Sequence, residues 1–458
     1  MFKKIGLAVF LLILALFTII NWTFASSSQE SVITSTDVES ENSQMPQNII
    51  LFIGDGMSPS LMTAYRHYAD DTATAELELT AFDPYLVGQL MTHSADKEET
   101  ITDSAASATA IATGEKTYHS AVGVDVNGEK LPNVIEAAKA KGLSTGLVVT
   151  SELTHATPAS FFSHVRDRDR HSEIADAYVD DTIKNELKVD VLLGGGLKHF
   201  NRSDRNLVSE LQERGYTYVS SKQELLDSDS DLLLGLFAEE GLPMFLDRDE
   251  DIPSLKDMTK AAISRLSKDE DGFFLMVEGS QIDWGGHSND ISSMMSEMTD
   301  FEQAFEAALD FAEADGDTLV LVTADHGTGG FSMGVDGENH WNPEPIRQMK
   351  RTPQFLAQKI VNEGTVVDLL EEYIEWDFDV EEISAIQTAL SNGNSSSSIR
   401  AILSKAVDKR SHTGWTTDAH TGDDVNVYAF GPKSELWYGL SDNTSIAKHI
   451  FELLEDKE

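Results

Sequence analysis

The chain has 458 residues, with 78 acidic and 34 basic side chains and a formal net charge of −44. This excess of negative charge excludes nucleic-acid binding through a broad basic surface, because the protein would repel the phosphate backbone. It predicts a heavily solvated surface or an adaptation to high salt, where screening weakens the self-repulsion. The sequence has no cysteine, so disulfides and thiolate ligands are excluded, and any zinc must be held by His, Asp or Glu.

The first 25 residues have the pattern of a secretory signal peptide. Lys3 and Lys4 precede an apolar run over residues 5–20, and Ala25 precedes a Ser-rich stretch. We expect cleavage after Ala25 and a secreted or periplasmic protein, with an uncleaved membrane anchor as the alternative. Residues 26–46 are polar and predict a flexible leader. No other stretch is long and apolar enough to span a bilayer.

Beyond the leader, short apolar runs alternate with amphipathic helical patterns. The apolar runs predict buried strands at residues 48–53, 144–149, 189–193, 273–277, 318–322 and 425–430. The helical patterns cover residues 131–141, 173–187, 255–266, 293–314 and 445–455. This alternation predicts an α/β fold with a mostly parallel central sheet sandwiched by helices, in one domain over residues 47–458. Residues 327–419 break the alternation and are interpreted as a large insertion on this core.

Polar side chains follow several of the predicted strands. In sheets of this kind the active site lies at the carboxyl ends of the strands. Five candidate functional residues stand at such ends: Asp55, Glu278, Asp283, Asp325 and His326. A single Asp-Gly pair such as Asp55-Gly56 is usually just a turn. Repeated acidic strand ends from remote parts of the chain instead predict one shared site.

A run of small residues predicts a tightly packed helix that begins at Asp103 and Ser104, within Thr102-Asp103-Ser104-Ala105-Ala106-Ser107-Ala108-Thr109-Ala110. The free N–H groups and the dipole at a helix start favour an anion. A helix-capping role is the simplest reading of this pair, but a serine at that place can also attack phosphorus. The segment has no Gly-x-Ser-x-Gly pattern, so activation of the hydroxyl by a metal is favoured over activation by a histidine base.

The segment after the fourth predicted strand supplies candidate metal ligands. Glu278, Asp283 and His287 lie in a predicted glycine-containing turn. Carboxylate and imidazole groups this close suit Zn²⁺ or Mg²⁺, and a polar surface loop is the alternative. Asp325 and His326 can both reach one metal from a loop, but not from a regular strand, where they would point to opposite faces.

Two histidines occur in the same tripeptide, His-Thr-Gly. His420 comes shortly before the last predicted strand, whereas His412 lies inside the insertion. We therefore prefer His420 as the metal ligand.

Together these segments are similar to the alkaline phosphatase family from about Asn48 to the C-terminus. The matching motifs occur in the order Gly54-Asp55-Gly56-Met57, Thr102-Asp103-Ser104-Ala105-Ala106-Ser107-Ala108-Thr109, His155-Ala156-Thr157-Pro158, Glu278-Gly279-Ser280-Gln281-Ile282-Asp283, Thr323-Ala324-Asp325-His326 and His420-Thr421-Gly422. The resemblance implies an enzyme that hydrolyses small phosphate monoesters through a phosphoserine on Ser104 and releases inorganic phosphate. It also implies two zinc ions and one magnesium ion.

The resemblance also assigns roles to individual positions. It implies three ligand sets: a zinc on Asp283, His287 and His420, a second zinc on Asp55, Asp325 and His326, and a magnesium on Asp55, Thr157 and Glu278. Arg168 matches the phosphate-binding arginine of the family, although Arg166 and Arg170 stand close by. A planar guanidinium suits bidentate binding of phosphate oxygens.

His155 and Trp284 stand where some bacterial members have Asp and Lys, a combination similar to that of marine and cold-adapted bacterial enzymes. The missing positive charge predicts weaker binding and faster release of phosphate. The insertion resembles an extended loop that reaches across a dimer interface in some relatives, so a homodimer is expected. Two other functions stay open: a phosphodiesterase on the same metal scaffold, and a secreted metal- or phosphate-binding protein without turnover.

Overall fold

The centre of the fold is a ten-stranded sheet. The computed structural model describes residues 45–71, 73–393 and 396–455, so the predicted signal peptide and nearly all of the predicted leader lie outside the described residues. In chain order the strands are β1 (Asn48–Gly54), β2 (Leu86–Met91), β3 (Ser144–Glu152), β4 (Val191–Gly195), β5 (Thr217–Val219), β6 (Leu233–Leu236), β7 (Phe273–Gly279), β8 (Thr318–Ala324), β9 (Val425–Phe430) and β10 (Gly439–Asp442).

The strands are arranged in the order β10-β2-β9-β8-β1-β7-β3-β4-β6-β5. All neighbours run parallel except β9, which is antiparallel to both β8 and β2. Every residue of β1, β7 and β8 is buried, which requires cover on both faces of the sheet and accounts for their continuous apolar runs. The predicted α/β fold with a mostly parallel sheet is confirmed.

Helices connect and cover the strands. Those before the insertion are Pro59–Ala69, Ser104–Thr113, Val134–Lys141, Ala156–Ser160, His171–Asp180, Leu197–Phe200, Leu207–Glu213, Lys222–Asp227, Leu255–Leu266, Gln281–His287 and Ile291–Asp315. The chain ends on Ser445–Glu455. No helix within the described residues is both long enough and apolar enough to cross a membrane.

The longest of these helices, Ile291–Asp315, is fixed to the sheet by aromatic rings. Phe301 meets Phe52 of β1 edge-on with ring centroids 5.7 Å apart, and Phe305 stacks on Phe82 at 4.8 Å. Such pairs contribute about 0.5–1.5 kcal/mol each beyond the area they bury. This helix follows directly after Gln281–His287, so its packing also fixes the segment that carries Asp283 and His287.

One predicted helix is too long. The pattern over residues 173–187 predicts a single helix, but the helix ends at Asp180 and a hairpin of Thr182–Ile183 with Glu186–Leu187 follows. Lys184 and Asn185 form the turn with φ of 51° and 70°. Positive φ at both central residues is the requirement of a two-residue hairpin turn, which a continuous helix cannot accommodate.

The described part of the insertion, which omits residues 394–395, contains five helices: Glu344–Arg347, Pro353–Glu363, Val367–Tyr373, Val380–Ser391 and Ser396–Ser411. Its two ends meet in short antiparallel ribbons, Gly327–Thr328 with His420–Thr421 and Ser332–Met333 with Thr413–Gly414. Further out, the Thr352 hydroxyl donates to Asp247 at 2.5 Å and ties the insertion to the core. The first ribbon therefore holds the segment after β8 against the segment before β9.

Candidate metal centre

Three buried carboxylates meet at the carboxyl edge of the sheet. Asp55 directly follows β1, Asp325 directly follows β8, and Glu278 is the last residue but one of β7. All three residues are 0% exposed. The Gly56 N–H donates to Asp325 Oδ1 at 3.1 Å and ties two of the strand ends together. Since these strands are parallel neighbours, their ends face one space, as the sequence predicts.

The described residues contain three groups of side chains whose ligand atoms lie within 4.8 Å of one another. The groups are Asp283, His287 and His420; Asp55, Asp325 and His326; and Asp55, His155 and Glu278. The first two contain the same residues as the two zinc sets implied by the resemblance. The third contains His155, which is not among the ligands implied by the resemblance.

His420 reaches this edge because β9 runs against its neighbours. The amino end of an antiparallel strand lies beside the carboxyl ends of the parallel strands. His420 stacks on His326 with ring centroids 3.8 Å apart. His412 instead meets His340 in the insertion, at 5.5 Å, and belongs to none of the three groups.

Asp283 and His287 lie on a helix, Gln281–His287, and the predicted glycine-containing turn is wrong. The spacing of four places both side chains on one helix face, and His287 Nε2 is 3.3 Å from Asp283 Oδ2. Gly285 and Gly286 weaken the helical pattern in the sequence. They are needed because a Cβ on either would come within 2.8 Å of a neighbour, Met294 or Thr328.

His287 and His420 face each other with their Nε2 atoms 3.1 Å apart. Each Nδ1 is beside a backbone carbonyl oxygen, that of Asp418 at 2.6 Å and that of Thr102 at 3.0 Å. A carbonyl only accepts, so both Nδ1 atoms carry the proton and both Nε2 atoms present lone pairs. Two lone pairs at this distance repel unless a cation lies between them and Asp283. The donor set therefore fits zinc.

The buried carboxylates also need a cation. Neither oxygen of Asp55 or Glu278, nor Oδ2 of Asp325, has a hydrogen-bond partner among the described residues. Burial raises the pKa of Asp55 well above its ordinary range and that of Glu278 to about 8. Burial lowers the pKa of His326 to about 3, which keeps its ring neutral. Buried, unpaired carboxylates beside a neutral imidazole fit divalent cations.

The two carboxylates of the third group, Asp55 and Glu278, fit a magnesium ion together with the nearby hydroxyl of Thr157. The Thr157 hydroxyl is 0% exposed and has no partner in the part of the chain that the structure describes. Burial raises the pKa of the Glu278 carboxyl, and the nearby Thr157 hydroxyl partly offsets this rise. Oxygen ligands of this kind are those that Mg²⁺ prefers.

Ser104 lies next to the second ligand group, as the first residue of its helix. Its Oγ is 3.2 Å from His326 Nε2. Asp103 caps the helix by accepting from Ala106 N at 3.0 Å. Burial alone would raise the pKa of Asp103, but Arg168 and two backbone N–H groups lower it below its ordinary value. This carboxylate is therefore ionised.

Of the three neighbouring arginines, Arg168 is the one that lies against this site. It contacts Asp103 Oδ2 at 3.3 Å and donates to His155 Nε2 at 3.1 Å. Arg166 donates to the Gly128 carbonyl, and Arg170 pairs with Glu173 on its own helix, so neither supports a phosphate at Ser104.

Trp284 packs beside His155, the histidine that contacts Arg168. A Cβ on Gly241 would come within 2.4 Å of its ring, and its ring meets that of His155 edge-on at 6.2 Å. Sequence reasoning missed one buried residue of the site, Thr328, whose hydroxyl bonds Asp283 Oδ1 at 2.5 Å. The only signal for it in the sequence is its position two residues after His326.

A mostly parallel sheet that carries paired carboxylate–imidazole groups beside a serine at the start of a helix defines a metal-dependent hydrolase. A model of the alkaline phosphatase family matches residues 46–455. The chain belongs to the alkaline phosphatase family and is an enzyme of the class that hydrolyses phosphate monoesters.

The chain is similar to characterised members along most of its length. It is 50% identical to alkaline phosphatase 3 of Bacillus subtilis (strain 168) over 437 residues, which cover 94% of each chain. The cold-active alkaline phosphatase of the psychrophile Shewanella sp. shares 39% identity with a TM-score of 0.83, covering 89% of this chain and 99% of that one. The enzyme of the Antarctic bacterium TAB5 shares 29% identity with a TM-score of 0.65, covering 90% and 98%. The expected similarity to cold-adapted bacterial enzymes is confirmed.

Proposed function

We propose that the chain hydrolyses phosphate monoesters by attack of Ser104 Oγ on phosphorus, in a site that holds two zinc ions and one magnesium ion. The observation that carries this proposal is the pair of opposed imidazoles, His287 and His420, with Nε2 atoms 3.1 Å apart. They lie beside a buried serine whose Oγ is 3.2 Å from His326 Nε2. This constellation combines a nucleophile with the ligands that can activate it.

The proposed ligands are the three sets implied by the resemblance. Asp283, His287 and His420 hold the first zinc; Asp55, Asp325 and His326 hold the second; and Asp55, Thr157 and Glu278 hold the magnesium, with His155 nearby. When bound, divalent cations lower the pKa of a coordinated hydroxyl or water and stabilise the charge on the attacking and leaving oxygens. Among the similar solved structures, a TAB5 variant is described as having Mg bound in its M3 site.

In the first step, a bond forms between Ser104 Oγ and phosphorus while the bond from phosphorus to the leaving alcohol oxygen breaks. In the second step, water attacks the phosphoserine, releases inorganic phosphate and restores the Ser104 hydroxyl. The helix that begins at Ser104 directs its free N–H groups at the phosphoryl oxygens. Arg168, held by Asp103 and His155, supplies two parallel donors to the same oxygens.

The site also accounts for binding of a dianion by a strongly acidic protein. Arg168, together with two zinc ions held by the proposed ligands, would create a local positive potential that overcomes the field of a chain with a net charge of −44. Recognition centred on the phosphoryl group predicts broad tolerance of the leaving alcohol.

The proposal is tested with p-nitrophenyl phosphate and bis-p-nitrophenyl phosphate, each with and without a chelator. We expect the monoester to be hydrolysed much faster and the chelator to abolish turnover. A preference for the diester would show a phosphodiesterase, and zinc binding without turnover of either ester would show a binding protein.

The nucleophile is tested by Ser104→Ala, which we expect to lower kcat by about 10³-fold or more while zinc content stays unchanged. Ser163→Ala is the matched control, because Ser163 is also buried and its hydroxyl donates, among the described residues, to the Ala159 carbonyl alone. Near-normal activity of the Ser104 variant would exclude Ser104 as the nucleophile.

Export through a signal peptide at residues 1–25, high-salt adaptation and a homodimer stay predictions. The first is checked by N-terminal sequencing of protein recovered outside the cytoplasm, the second by activity and stability across salt concentrations, and the third by light scattering of the purified chain.

A further inference from the structure

The buried hydroxyl of Thr328 lies between the two proposed zinc sites. Its side chain is 1% exposed, and Oγ1 is 2.5 Å from Asp283 Oδ1 and 3.3 Å from His326 Nδ1. Asp283 belongs to one ligand group and His326 to the other. One hydroxyl therefore contacts a ligand residue of each group.

The direction of the two hydrogen bonds follows from the donors available. A hydroxyl carries one proton, and an ionised carboxylate can only accept. The Thr328 proton therefore points to Asp283, and the Thr328 oxygen accepts from His326 Nδ1–H. With its proton on Nδ1, neutral His326 presents the Nε2 lone pair, which lies 3.3 Å from Asp325 Oδ2 and 3.6 Å from Asp55 Oδ1.

The backbone and the packing keep this hydroxyl in place. Thr328 stands directly opposite His420 in the ribbon at the base of the insertion. A Cβ on Gly56 would come within 2.8 Å of Thr328 Oγ1, and one on Gly286 within 2.8 Å of Thr328 Cβ. The two glycines, which have no side chains, therefore leave space for the threonine side chain.

We propose that Thr328 is a positioning residue that organises both zinc sites at once. It selects the His326 tautomer that can ligate in one site, and it orients the Asp283 carboxylate in the other. Partners of this kind, which hold a ligand rather than the metal, commonly change metal affinity 10–100-fold when removed. The inference rests on the proposed zinc sites, and it requires both of them to weaken when this single hydroxyl is lost.

The test is zinc titration into chelator-stripped protein, followed by competition with a chromophoric chelator that resolves two equivalents. Thr328→Val removes the hydroxyl and keeps the shape, and we expect both equivalents to bind about 10–100-fold more weakly. Thr328→Ser keeps the hydroxyl, and we expect it to retain wild-type affinity. Thr421→Val is the matched control from the opposite strand of the ribbon, where the hydroxyl bonds Asp423 and no proposed ligand.

Three results would overturn the inference: wild-type zinc affinity in Thr328→Val, weakening of only one equivalent, or a serine variant as weak as the valine variant. If Thr328→Val does not fold, as judged by circular dichroism of the metal-free protein, Thr328→Ala takes its place under the same criteria. Wild-type protein that binds fewer than two zinc ions contradicts the proposed function itself. Two tight equivalents in wild type and an unchanged Thr328 variant contradict only this inference.

Discussion

Removal of the metals should make the stability of this protein strongly dependent on pH. Burial raises the pKa of Glu278 from 4.5 to about 8 in the metal-free fold. Between those values the folded state binds a proton that the unfolded state does not, so folding stability is greatest below about pH 4.5 and falls as the pH rises to about 8. Above that range, Glu278 is ionised in both states and its contribution becomes constant.

The size of the effect follows from the difference between the two pKa values. Each unit corresponds to 1.36 kcal/mol, so Glu278 alone destabilises the metal-free protein by on the order of 5 kcal/mol between about pH 4.5 and 8. Burial also raises the pKa of Asp55 and Asp325, which adds to the loss with the same sign. Against a typical total stability of about 5–15 kcal/mol, this loss is large. Bound cations pair with the ionised carboxylates and should remove most of this dependence.

The assay is guanidinium unfolding at pH 5 to 9 of metal-free protein and of protein loaded with zinc and magnesium. Other buried acids contribute equally to both forms, so the difference between the two pH profiles isolates the metal centre. Metal-free Glu278→Gln should show a shallower decline than metal-free wild type, because the amide cannot ionise. If the stability of the metal-free protein falls no more steeply than that of the loaded protein, the buried carboxylates of the metal centre do not cause the pH dependence.

Three further predictions concern single side chains. His420→Asn should lose about one zinc equivalent by elemental analysis, whereas His412→Asn, in the same tripeptide, should keep both; equal zinc contents would contradict the choice of His420. Trp284→Lys adds a positive charge beside His155, which contacts Arg168, and should lower the inhibition constant for inorganic phosphate, so an unchanged constant counts against weak product binding in the wild type. Burial raises the pKa of Asp408 to about 8, although the hydrogen bond from the Trp415 N–H opposes the rise. The contribution of Asp408 to the stability of the folded protein is therefore full at low pH and is lost as the pH rises to about 8. In metal-loaded Asp408→Asn, the decline should be shallower by up to about 1.4 kcal/mol per pH unit, and an unchanged profile would exclude this buried carboxyl as its cause.

Much of the sheet could be predicted because buried parallel strands have continuous apolar runs. The runs that became β1, β7 and β8 are followed within three residues by Asp55, Glu278 and Asp325, so the sequence predicted that these side chains lie at one edge of the sheet. The short strands β5 and β6 were missed because three or four residues do not make a distinct run. The exposed strands β2 and β10 were missed because they are not continuously apolar.

Other features depend on tertiary structure and have no local signal. The helix that carries Asp283 and His287 contains two adjacent glycines, which disfavour a helix when considered alone, and close packing against neighbouring segments outweighs that preference. The reversal of β9 brings His420 to the catalytic edge, although a run of apolar residues does not show strand direction. The bond from Thr328 to Asp283 joins residues 45 positions apart, and sequence periodicity cannot indicate it.

The proposed function requires that remote carboxylates and imidazoles hold paired zinc ions beside Ser104. Anomalous X-ray diffraction at the zinc edge, on crystals of the active protein, locates such ions without reference to activity. We expect two strong peaks, one among Asp283, His287 and His420 and one beside His326 and Asp55 within reach of Ser104 Oγ. A fully active crystal with no anomalous peak at either place would contradict it.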